Sequence, residues 1–133
     1  MYASHLGWLH STPEKSEQTR LKALGEGSQF ANMPECDHKA LISAFHDLGF
    51  AMTSEIIRAL TFAEISGFKM ATGLNLNHFE VVVLKRMSEC FVVWLNKGKK
   101  QGCHAPYYKD NRSVEGMRED VSNKFKALAR KNK

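Results

Sequence analysis

Residues 74–96, LNLNHFEVVVLKRMSECFVVWLN, decide how this chain is read. Phe79, Val83, Met87, Cys90 or Phe91, and Trp94 recur at steps of three or four, the period of a helix with one apolar side. Yet Val81-Val82-Val83 and Phe91-Val92-Val93-Trp94 are rich in β-branched and aromatic residues, which lose rotamer freedom in a helix and favour strands. Two readings follow. Either one buried helix runs from Asn77 to Asn96, or a helix ends near Glu89 and a strand Cys90–Leu95 follows.

The second reading gives a role to what comes next. NKGKKQG would be the tip of a hairpin and CHAPYY its return strand, with Gly98 and Gly102 supplying the turn geometry. Pro106 fits only an edge strand, which the outer strand of such a wing is. Upstream, a helix broken or not at Gly67 would end at Gly73, and a second helix would begin at Asn77. That pair has the parts of a helix-turn-helix, with Phe68 before the turn and Leu74, Phe79 and Val82 after it expected to be buried. Asn77 and His78 would then reach base edges from the start of the second helix, with Lys85 entering or flanking the major groove. Lys97, Lys99, Lys100 and Lys109 would hold phosphates.

Charge placement agrees with a polyanionic partner. Residues 1–96 hold 8 Lys/Arg against 10 Asp/Glu, and residues 97–133 hold 11 against 4. The formal charge of +5 therefore comes wholly from the last 37 residues. The same asymmetry would suit a solubilising tail.

Other segments read as helices. Asp37 is a good N-cap ahead of Leu41, Ile42, Phe45 and Leu48. Thr53 or Ser54 would cap a helix carrying Ile56, Ile57 and Leu60. From Ser113, Val114, Met117, Val121, Phe125 and Leu128 form a stripe, with acidic residues early and basic residues late, as the helix dipole prefers. Residues 1–34 could form one short helix from Pro13 to Leu24, but Leu9, Leu21 and Leu24 are too few to bury a stripe of their own. The segment reads as a flexible or docking N-terminal arm ahead of a helical domain at 35–133.

Several classes are excluded or disfavoured. No run of eighteen apolar residues exists, so no membrane span is expected. The start MYASHLGWLH lacks a basic region and a long apolar run, which argues for a cytoplasmic protein. Three cysteines, Cys36, Cys90 and Cys103, make no disulfide framework. Cys36-x-His38 and Cys103-His104 are zinc-type ligands at the wrong spacing for a compact finger. No nucleophile elbow or phosphate loop is present, so neither an enzyme nor a cofactor is expected.

The expectation is a mainly α, single-domain helical bundle with a helix-turn-helix-like core and a small β-hairpin (wing) near residues 90–108. It would bind duplex DNA as a non-enzymatic transcriptional or plasmid/phage-type accessory regulator, dimerising through its C-terminal stripe. The alternatives are a helical protein–protein interaction module, favoured if residues 77–96 form one helix, and a ribonucleoprotein component.

Overall fold

A computed structural model describes residues 1–25, 27–108 and 114–131. The fold is mainly helical. In order, it contains α1 (Tyr2–His10), α2 (Arg20–Leu24), α3 (Lys39–Asp47), the strands β1 (Met52–Thr53) and β2 (Ile57–Arg58), α4 (Phe62–Thr72), α5 (His78–Lys97) and α6 (Val114–Lys131).

The ambiguous stretch is one unbroken helix of twenty residues, so the strand Cys90–Leu95 does not form. Its start is fixed locally. The Glu80 N–H donates to Asn77 Oδ1 at 2.9 Å, and the Asn77 N–H donates to the Glu80 carboxylate at 2.8 Å, a reciprocal capping box. Its length is fixed by burial. Leu84, Ser88, Phe91 and Leu95 form one fully covered stripe. Five valines in a helix cost at most about 0.7 kcal/mol each, whereas burying Leu84, Phe91 and Leu95 contributes about 1.5–3 kcal/mol apiece. The stripe wins.

The helix covering that stripe is α1, which lies within the stretch expected to be a flexible or docking arm. Gly7 of α1 lies so close to α5 that a Cβ there would collide with the Phe91 carbonyl oxygen. One turn on, Ser11 stands where a Cβ on Gly98 would be. The two approaches advance together, so the helices run parallel. His5, Leu6, Gly7, Trp8 and Leu9 are all buried in succession. A helix enclosed on every side has no polar face, and the amphipathic pattern by which helices are recognised in sequence is missing.

A small antiparallel hairpin is present, but at residues 52–58, with Met52 opposite Arg58 and Thr53 opposite Ile57. It replaces the helix expected behind Thr53 or Ser54. Buried Ser88 clasps both of its ends: its hydroxyl accepts the Leu60 N–H at 2.9 Å and donates to the Phe50 carbonyl at 2.6 Å. Residues 90–97, where the wing was expected, belong to α5, and 98–108 form turns and extended chain.

Elsewhere, α3 starts at Lys39 with His38 rather than Asp37 at the cap position. The only α-helix between Pro13 and Leu24 is the five-residue α2, capped by Thr19. Gly67 does not break α4, which Thr61 and Glu64 start with a second capping box and Gly73 ends in the left-handed conformation. The core gathers Phe45, Ile65, Leu84 and Phe91 with Leu6, Leu41 and Leu60.

Candidate functional site

The α4–α5 pair was expected to bury Leu74, Phe79 and Val82 around the turn. All three are exposed, and Phe68 is only half-buried. The turn is instead held from within: Leu76 is buried, and Lys69 Nζ donates to its carbonyl at 2.9 Å. Among the residues expected to read bases, Asn77 is engaged in the capping box and His78 is exposed at the helix start. Lys85 pairs with Glu89 one turn away and lies over the Phe62 ring, 5.3 Å from its centroid.

Lys97, Lys99 and Lys100 come together at the opposite end of α5. Nineteen residues at 1.5 Å each separate His78 from Lys97 by about 28 Å. The structure thus groups the three lysines with one another and sets them a full helix away from Asn77 and His78. Lys97 lies over its own helix's Trp94 ring at 5.0 Å. Lys109 lies outside the described residues.

The segment carrying these lysines is firmly docked. Arg20 lies over Trp8 and donates to the carbonyls of Gly98 and Lys100, both within 3.3 Å. The Glu14 N–H donates to the Lys99 carbonyl at 2.8 Å, and Trp8 Nε1 donates to that of Cys103 at 3.0 Å. Tyr107 packs edge-on to His5, and Tyr108 bonds Gln29 and leans on Phe30. Both tyrosines therefore pack against the body of the protein. None of Trp8, Arg20 or Ser88 was foreseen as structural, because each acts on a partner at least 28 residues away.

Two surfaces remain open. The outer side of α5 carries exposed Phe79, Val82, Arg86 and Val93. Beside it, α5, α3, the first turn of α1 and residues 34–38 enclose a concavity of about 540 Å³ lined mostly by apolar side chains. The second surface is α6, whose side chains from Arg118 to Arg130 are all exposed, including Val121, Phe125 and Leu128 of the expected stripe.

No family model, curated protein or solved structure matches this chain.

The electrostatics are local. Glu64 is held down to about 2 by the Arg58 guanidinium, which grips both its oxygens at 2.6 and 3.0 Å, and by the Thr61 N–H. This pair fastens β2 to the start of α4. Burial lowers the pKa of His5 and of His10, the latter also facing His46. Tyr2 is raised by burial and by neighbouring Cys36. Among the described residues no three potential metal ligands converge, and Cys36 and His38 lie on the wall of the concavity. No helix among them is long and apolar enough to cross a membrane.

Proposed function

We propose that this protein is a non-enzymatic helical interaction module whose C-terminal helix is laid by its apolar face into a groove on a partner protein. The observation that carries this reading is the bare stripe of α6. An isolated helix of eighteen residues is marginal in water, and most helices are stabilised by packing an apolar face. In α6, Val121, Phe125 and Leu128 recur at the i, i+4, i+7 spacing of a groove-binding helix, and every one is exposed. Arg118 and Lys124 flank that stripe at helical spacing, so the fitting groove is apolar with an acidic rim. The unbroken α5 supports the same class, since among the described residues no hairpin follows the α4–α5 pair to track a phosphate backbone.

The test compares the full chain with a Phe125→Asp, Leu128→Asp variant, both tagged, as baits under matched conditions. A partner retained by the first and lost by the second should then bind the purified wild-type chain with a 1:1 stoichiometry and at least about 100-fold more tightly than the variant. Identical partner sets for the two baits would refute the reading.

Binding of duplex DNA is the second reading, favoured by the gathering of Lys97, Lys99 and Lys100 on one helix end. Here the triple alanine variant should lower the slope of log affinity against log salt by about 2–3, close to 0.9 per phosphate contact. No duplex binding at about 50 mM salt would eliminate it.

A further inference from the structure

The concavity on the outer side of α5 has the size and lining of a small-molecule site rather than a gap between side chains. Its volume of about 540 Å³ lies within the range of ligand pockets, roughly 300–1,000 Å³. Its lining brings together Leu41 and Ile42 of α3, Val83, Met87 and Cys90 of α5, and Tyr2 of α1. These α5 residues adjoin the stripe that α1 covers, but residues 34–38 pass beside them without filling the space. The walls are mainly aliphatic side chains and sulfur, with the rings of Tyr2 and His38 and the charges of Glu35 and Arg86 among them. Such walls suit a flexible chain better than a flat ring system, and methionine adapts readily to its shape.

A charge stands at the mouth. Arg86 borders the concavity, is exposed, and has no carboxylate partner among the described residues. Glu35 also borders it but already has a partner of its own. A guanidinium at the rim of an apolar cleft matches a molecule with an apolar body and an anionic end.

We propose that this concavity binds a long-chain amphiphile with a single anionic head, its chain lying between α3 and α5 and its head on Arg86. The inference is independent of the role assigned to α6. The same chemistry is offered by a free fatty acid and by an anionic phospholipid.

The cysteines supply the readout. Cys36 and Cys90 line the concavity, whereas Cys103 lies in the turn whose carbonyl receives Trp8 Nε1, and all three are half-buried. The full chain is labelled with a maleimide in the presence of decanoate, dodecanoate or tetradecanoate below micelle-forming concentrations. Dodecanoate should slow labelling of Cys36 and Cys90 at least about 10-fold and leave Cys103 unchanged. Each added methylene should lower the concentration for half-protection about 3- to 4-fold, the factor for burying one CH₂. Dodecanol and dodecyltrimethylammonium should protect at least about 10-fold less well.

Arg86→Glu, an exposed position, should reverse the order of dodecanoate and dodecyltrimethylammonium. Protection by vesicles containing phosphatidylglycerol, absent with purely phosphatidylcholine vesicles, would support the proposal and name a lipid bilayer as the source. Protection by free carboxylates alone would support it and name a soluble one. Equal protection by all three twelve-carbon compounds, equal slowing at Cys103, or no protection would overturn it. Unliganded Cys36 and Cys90 already protected, and released by Phe125→Asp, would also overturn it by assigning the space to α6.

Discussion

The carbonyl oxygen of Gly98 receives two hydrogen bonds from Arg20, from Nε at 3.3 Å and Nη2 at 2.9 Å. A guanidinium thus caps the end of α5, where the unsatisfied carbonyls concentrate negative charge. It also bridges to Lys100 at 2.8 Å and lies 4.8 Å above the Trp8 ring. The segment that holds the lysines therefore depends on a residue 78 positions earlier in the chain.

Replacing Arg20 by alanine should lower stability by about 1–2 kcal/mol, less than a fully buried charged hydrogen bond because the site is partly exposed. Arg20→Lys keeps the charge but loses the planar fork, so it should recover less than half of that loss. Urea denaturation measures both. A loss under about 0.5 kcal/mol for the alanine variant would show that the cap contributes little.

Two glycines in helices should respond with opposite signs. A methyl on Gly7 meets the Phe91 backbone, so Gly7→Ala should destabilise by about 2–3 kcal/mol or prevent folding, although alanine is the better helix former. Gly67 in α4 has open space around it, and Gly67→Ala should stabilise by about 0.5–1 kcal/mol. Thermal melts of the pair decide whether the α1–α5 approach is as close as described.

Ser88→Ala removes one hydroxyl and strands two groups, the Leu60 N–H and the Phe50 carbonyl. The cost should be about 2–3 kcal/mol, since a buried unsatisfied donor and acceptor both remain. The specific signature is amide exchange: Leu60 should lose protection by more than the global change in stability accounts for. Exchange at Leu60 that only follows global stability would count against the clasp.

Acid should weaken the fold in a defined window. His5 and His10 have folded-state pKa values below the ordinary 6.5, so the unfolded chain binds more protons as pH falls through that value. Stability should be flat from about pH 8 to 7 and decline progressively below about 6.5. His10→Gln, which retains a polar side chain but cannot titrate, should show a shallower decline. Urea midpoints at pH 7.5, 6.5 and 5.5 test this, and a midpoint constant over that range would contradict it.

Much of the helical layout is written in neighbouring residues. Asn77 with Glu80, and Gly73 after Thr72, act within one turn, so the start of α5 and the end of α4 can be read without knowing the fold. The stripe Val121, Phe125, Leu128 and the order of charges around it likewise mark α6, and the crowding of positive charge after residue 96 is a matter of counting. The choice between helix and strand at Cys90–Leu95 was not local. It turned on α1, whose Gly7 allows a backbone approach that buries Phe91 and Leu95, and α1 itself shows no stripe because it is covered all round. The hairpin at 52–58 and the concavity beside Arg86 share that origin. Ser88 clasps segments 28 and 38 residues distant, and the concavity exists where α1, α3 and α5 meet, contacts that no short window of the chain contains.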